Sequence, residues 1–355
     1  MSSIPRPGHP YHMYDAIYAQ PGALRLLTRG QGPTLAAAAV RIAEASSVWL
    51  AGVGSSWHAA LAGELLFARI GKLGARARAV HAFDLVEYGP EPAGAVVAIT
   101  HRGSNAHVTG ALARARAAGA ATVAVAGKGT EGPAGAEHVL RTVEQEASSC
   151  HTVSYTTAVA MLAALAAAVG HDDEAGRQLD AIPDQLAMLL GQESWEDLAE
   201  RFGNRRRYWV VGGGPNTATA YEAALKLNEA AWLPAVGFAC EQFLHGPWAA
   251  LEPDDLVLLI APPGPSHRRC LDVARVASAI GAPLVALIAE DDREIGALAA
   301  ETIALPAVPE LLSPITSIIP LQLLIYHLAI RAGANPDTMR ADQAAHGRAR
   351  AAAGA

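Results

Sequence analysis

Cysteine is scarce in this chain. Three residues in 355, Cys150, Cys240 and Cys270, are too few and too scattered for a disulfide framework or a metal-binding knuckle. They read as free thiols in a reducing compartment. Aromatic residues are sparse too, at 5% against 51% apolar, so the apolar mass is mostly Ala, Leu and Val. A core of small side chains lets helices approach sheets closely, which favours an α/β fold. Positive charge is not in excess: 27 basic residues face 34 acidic ones, a formal net charge of -7, which argues against a nucleic-acid surface. Two short basic clusters, Arg205-Arg206-Arg207 and His267-Arg268-Arg269, flank predicted strands and read as solvated edges. The opening MSSIPRPGHP has no apolar signal core. The longest apolar run, Ala158 to Val169, reads as too short to span a bilayer and as part of a buried helix. A cytoplasmic protein without membrane contact is expected. His58, His101, His107 and His151 are scattered over turns and helix starts, so neither a metal nor another cofactor is expected.

What is present is alternation. A chain of this length should hold about two domains. In the first half, strands at Ser47–Ala51 and Ala95–Thr100 each break into a glycine-bearing polar turn followed by a helical pattern, and a third at Thr122–Ala126 ends at Gly127, so the sheet should be mostly parallel. The layout then returns. VWLAGVGSS at Val48 matches YWVVGGGPN at Tyr208, AVVAITHRG matches LVLLIAPPG, and GAATVAVAG at Gly119 matches GAPLVALIA at Gly281. The copies lie about 160 residues apart with a drift of about two, which implies a duplicated α/β domain. The boundary is expected between His171 and Glu193, where charged residues interrupt the apolar runs.

In a parallel sheet, ligands bind beyond the carboxyl ends of the strands, where glycine-rich turns expose backbone N–H groups at helix N-termini. Gly52-Val53-Gly54-Ser55-Ser56 supplies such a turn with two hydroxyls. Thr100-His101-Arg102-Gly103-Ser104-Asn105 supplies a second with a guanidinium able to grip a phosphate. Neither a dinucleotide fingerprint nor a Gly-Lys-Ser/Thr loop occurs, so a small phosphorylated metabolite fits better than a nucleotide.

One further stretch, Tyr221 to Trp248, carries titratable groups. Glu222, Lys226 and Glu229 share one face of a predicted helix, and the chain then passes Pro234, Gly237 and Glu241 to His245, just before Gly246-Pro247. Carboxylate, ammonium and imidazole together suit proton transfer on a sugar. The same spacing equally describes a solvated salt-bridged face followed by a turn histidine.

The ordered set GVGSSWHAA, THRGSNA, AALKLNEAAW, EQFLHGPWA and SPITSIIPLQLLIYHLA resembles the sugar isomerase (SIS) family. Within it, the match is to the isomerase halves of the glutamine–fructose-6-phosphate aminotransferases (glucosamine-6-phosphate synthases). The resemblance implies two tandem SIS-type lobes: an arm over 1–30, a first SIS domain over 31–180, a second over 195–335 and a tail over 336–355. It also implies that Glu229 shuttles a proton between carbons 1 and 2 of an open-chain sugar phosphate, that His245 opens the ring from a loop reaching a neighbouring subunit, and that Lys226 accompanies them. Gly54, Ser55 and Ser56 would bind the sugar; Thr100, His101, Arg102, Gly103, Ser104 and Asn105 would bind its phosphate, with His151 nearby.

The expected function is therefore a phosphosugar isomerase or amino-sugar-phosphate deaminase working as a homodimer with a shared active site. A fructosamine-phosphate deglycase and a non-catalytic phosphosugar sensor are the alternatives. Ser2 stands where a glutaminase would need its cysteine, so no glutaminase domain of its own is expected and a separate ammonia or amine donor is implied. Ala344 stands where the family's synthases place a Schiff-base lysine.

Overall fold

The apolar runs that end in glycine or a polar turn become the central strands of two parallel sheets. The computed structural model describes residues 6–192 and 194–353, so Ser2 and Glu193 lie outside the described residues. The described chain forms two units: Gln20–Glu146 with Val153–Gln185, here the first lobe, and the segment up to Ala19 with Ala147–Thr152 and the chain from Leu186 onward, here the second.

The first lobe holds β1 (Val48–Gly52), β2 (Ala77–His81), β3 (Ala95–Thr100), β4 (Ala121–Ala126) and β5 (His138–Arg141). Their order is β2-β1-β3-β4-β5, and every neighbouring pair is parallel. All residues of β3 and β4 are buried, which is why they read as unbroken apolar runs. The helix Val153–Gly170 packs on the helix Ser55–Arg69. A Cβ on Gly63 would lie 2.6 Å from Leu50 Cδ2 and 3.1 Å from Leu162 Cδ1, so the missing side chain sets how closely these helices and the sheet approach. The Val153–Gly170 helix has 18 residues, more than the apolar run suggested, so shortness is not what separates it from a membrane span. Its apolarity is accounted for by packing, since 94% of it is buried inside the protein.

The second lobe repeats the design with β6 (Tyr208–Gly212), β7 (Ala235–Ala239), β8 (Leu256–Ala261), β9 (Leu284–Ile288) and β10 (Glu301–Ala304), ordered β10-β9-β8-β6-β7 and again parallel throughout. The expected duplication is thus a duplication of sheet order. β7 lies in the stretch after Pro234, where the sequence reading placed no strand. Gly237 marks a close approach of this strand to the preceding helix, since a Cβ there would sit 2.8 Å from Ala220 O and from Tyr221 Cα. The helix Ser313–Arg331 packs against the helix Asn216–Ala230 and is almost wholly buried. Asn216 Nδ2 donates to Ser313 Oγ at 2.7 Å and ties their first turns together.

Candidate active site

With the strand order 2-1-3-4-5 the chain leaves β1 and β3 toward opposite sides of the sheet, and ligands gather beyond the carboxyl ends at that point. β1 and β3 are neighbours, so the turns Gly52–Ser56 and Thr100–Asn105 stand side by side there. The first turn is tight. A Cβ on Gly52 would lie 2.4 Å from the backbone oxygen of Ser56, and Gly54 has φ +57°, before the helix that starts at Ser55.

In the second turn, Gly103 (φ +76°) donates its N–H to Thr100 Oγ1 at 3.1 Å. Asn105 caps the helix Ala106–Ala117, its Oδ1 accepting from His107 N at 3.1 Å and Val108 N at 3.2 Å. His101 is anchored: its Nε2 accepts the Glu146 N–H at 3.0 Å, so the neutral ring carries its proton on Nδ1. Burial pushes its pKa down, Arg102's charge adds to that, and Glu146 opposes it. Glu146 in turn accepts from Ser154 N at 2.9 Å, in the first turn of the helix Val153–Gly170. Arg102 and Ser104 are exposed, and Arg102 makes no ion pair among the described residues.

In the second lobe, Glu222, Lys226 and Glu229 are not a solvated face. Lys226 is 1% exposed and Glu222 not at all. The Lys226 ammonium lies 3.3 Å from Glu222 Oε1 and donates to Glu229 Oε2 at 2.6 Å. Burial alone would depress the lysine; the two carboxylates outweigh it and hold the ammonium above its ordinary 10.5. Beside them is Cys150, whose buried thiol is pushed well up, first by burial and then by the charge of Glu229, so it stays protonated. Half-buried His151 follows directly.

Glu229 opens onto a cleft of about 410 Å³ lined by Asn228, Glu229, Trp232, Leu233, Pro234, Met339, Arg340 and His346, within the volumes, about 300–1,000 Å³, that small-molecule sites occupy. Three of these side chains stand on left-handed backbone, Trp232 (φ 58°), Met339 (φ 48°) and Arg340 (φ 62°). Such strained residues cluster where ligands are clamped. Asp337 holds the tail in place by accepting from His12 N and Met13 N, each at 2.9 Å.

His245 is not part of this group. Its side chain is 74% exposed and its Nε2 lies 3.4 Å from Glu241 Oε2. Glu241 is held below the usual carboxylate range chiefly by Arg269, whose Nε donates to it at 2.6 Å.

The sequence reading singled out neither the Trp232 and His346 walls of the cleft nor Glu310. In the second lobe the position matching the paired turns is taken by the protein's own carboxylate. Glu310 Oε1 accepts from Ser266 N at 3.1 Å and from Ser266 Oγ. Gly264, at φ +155°, leaves room for it, since a Cβ there would come within 2.6 Å of Glu310 Cδ.

A family model described as SIS domain matches residues 41–169 and 202–332. Glutamine–fructose-6-phosphate aminotransferase (isomerizing) of Thermococcus kodakarensis is 31% identical over 350 residues, an alignment covering 94% of this chain and 57% of that protein. The chain therefore spans little more than half the length of this relative. Among solved structures, the C-terminal domain of glucosamine-fructose-6-phosphate aminotransferase from Francisella tularensis has a TM-score of 0.81 at 18% identity, covering 94% of this chain and 99% of its own. Tagatose-6-phosphate ketose/aldose isomerase from Escherichia coli has a TM-score of 0.80 at 19% identity, covering 95% and 97%. At these identities the likeness is one of fold.

Proposed function

Because this chain belongs to the SIS domain family and carries two copies of the domain in tandem, we propose that it is an enzyme acting on a phosphorylated sugar, as an aldose–ketose isomerase or an amino-sugar-phosphate deaminase. Glu229 carries a proton between carbons 1 and 2 of the open-chain sugar, through an enediol or an enolamine. The observation that carries this reading is a carboxylate facing a cleft while paired, at 2.6 Å, with an ammonium that is itself buried and held charged. Gly54, Ser55 and Ser56 bind the sugar, and Thr100, Arg102, Gly103 and Ser104 its phosphate, through backbone N–H groups, hydroxyls and a guanidinium. His101 and Asn105 contribute by fixing the turn, and His151 by lining the approach to Glu229. We take 31–180 and 195–335 as the two functional halves.

His245 serves ring opening in a homodimer whose neighbouring copy receives its loop; its exposure favours a role outside its own lobe. A cytoplasmic location, and ammonia or an amine arriving from a separate donor, complete the proposal.

The experiment is Glu229→Gln assayed against a panel of hexose 6-phosphates in deuterated water. Turnover and solvent-hydrogen incorporation should vanish while sugar-phosphate binding persists. Unchanged turnover would overturn the assignment of the base. Binding by the unaltered protein with no hydrogen exchange for any sugar would favour a phosphosugar sensor, a reading for which Ala344, at the tail position of the family's lysine, is the motivating residue.

A further inference from the structure

The two lobes repeat more than their sheet order. In each, the turn after the first strand is equally tight: a Cβ on Gly52 would lie 2.4 Å from Ser56 O, and one on Gly212 would lie 2.3 Å from Asn216 O. Two residues on, both chains turn left-handed, Gly54 at φ +57° and Gly214 at φ +52°. The contents of the two cradles differ. Among the described residues nothing comes within 4 Å of a Cβ placed on Gly54, whereas one on Gly214 would lie 3.8 Å from Glu310 Oε1. Gly103 meets Thr130 Oγ1 at 3.5 Å as its nearest contact, whereas its counterpart Gly264 meets Glu310 Cδ at 2.6 Å. The Glu310 carboxylate therefore stands between the turn after β6 and the turn after β8.

Its reception is that of a bound anion. It accepts the Ser266 N–H at 3.1 Å and the Ser266 hydroxyl. Ser266 precedes the 14-residue helix His267–Ile280, whose positive end faces the carboxylate. The Ser266 side chain makes no cap bond to that helix, unlike Asn105 at the matching place in the first lobe, so its hydroxyl is turned outward as a donor. The adjoining cleft of about 500 Å³ carries Asp291, Asp292 and Glu294 against Arg293 and His267, and His267 is already paired with Asp292 at 2.6 Å. A free anion would meet that excess of acid; a tethered one is held there by its high effective concentration. Glu310 also leads straight into the helix Ser313–Arg331. Ser313 Oγ donates to Glu310 O at 2.7 Å and accepts from Asn216 Nδ2 at 2.7 Å.

We propose that the second lobe retains a latent anion site of the phosphate-monoester class, built from Gly214, Gly264 and Ser266, and that Glu310 is its built-in ligand. Filling the cradle from within pins the start of the helix Ser313–Arg331 against the helix Asn216–Ala230, which carries Glu229. The class of ligand rests on the reading of the first-lobe turns as a phosphate site; the occupancy by Glu310 does not.

Removing the carboxylate should open the site, and equilibrium dialysis of the full chain against radiolabelled inorganic phosphate counts it directly. Glu310→Ala should bind one more phosphate per chain than the unaltered protein. Glu310→Gln, which keeps the shape and one acceptor oxygen, should gain none. Adding Ser266→Ala to Glu310→Ala removes one donor and should weaken the gained site about 3- to 10-fold. If Glu310→Ala folds poorly, its thermal midpoint reads the same site, because an anion that binds only the folded chain raises it. Phosphate also stabilises proteins by exclusion from their surface, so the signal is the rise in Glu310→Ala beyond that in Glu310→Gln at equal phosphate.

No gained phosphate and no extra rise in Glu310→Ala would overturn the proposal, as would a gained site indifferent to Ser266→Ala. The count in the unaltered protein speaks separately to the first lobe. One phosphate there supports the assignment of Thr100–Asn105; none removes that assignment and leaves the difference made by Glu310 to stand by itself.

Discussion

Replacing Lys226 by methionine is the perturbation most sharply sized by this structure. The ammonium is 1% exposed, lies 2.6 Å from Glu229 Oε2 and 3.3 Å from Glu222 Oε1, and Glu222 has no exposure of its own. Removing it leaves at least one fully buried carboxylate without a counter-charge, and breaking a buried pair in this way costs about 3–5 kcal/mol. Methionine nearly conserves volume, so a cavity adds little. The pH dependence follows from the raised lysine. A cation whose folded pKa exceeds its unfolded one contributes fully below the unfolded value, here near 10.5, and loses that contribution only as pH climbs through the higher folded value.

The gap between the native protein and Lys226→Met, read from urea denaturation midpoints, should therefore stay level from neutral pH to about pH 10. The double variant Glu222→Gln/Lys226→Met, which removes a charge of each sign, should recover much of the loss. A single-variant loss under about 1 kcal/mol, of the size seen for solvated pairs, would refute the reasoning, because it would mean that water reaches the ammonium.

Two further outcomes follow from the first lobe. Gly52→Ala should disrupt the sugar-binding turn: its new Cβ would lie 2.4 Å from the backbone of Ser56, which cannot yield as a side chain can. Overpacking of this kind costs about 1–3 kcal/mol, and sugar-phosphate affinity should fall with stability in the same titration. His101, lowered in the fold by burial, stabilises the turn above its ordinary value of 6.5 and loses that contribution as pH falls through its lower folded value. The hydrogen-exchange protection factor of the Glu146 amide, whose N–H His101 accepts, should fall below about pH 6.5 and stay level above it; an equal fall in His101→Phe would show that the bond is not responsible.

The sequence carried the duplicated α/β design and the central strands because burial on both faces forces an unbroken apolar run, as in β3, β4 and β8. The edge strands β2, β5, β7 and β10 pair on one side only and keep mostly part-buried or exposed residues, so no unbroken buried run betrayed them. Spacing likewise put Glu222, Lys226 and Glu229 on one helical face but could not say whether that face meets water. Burial is a property of what packs over a residue. It was decided by the helix Ser313–Arg331 and by the Cys150 segment, both distant along the chain. The same holds for Arg340 over Trp232 and for Glu310 beneath Ser266. Local rules fix what a segment becomes; which charges are sealed away and which are left reaching into a cleft depends on contacts between residues far apart in sequence, and only the folded chain makes them.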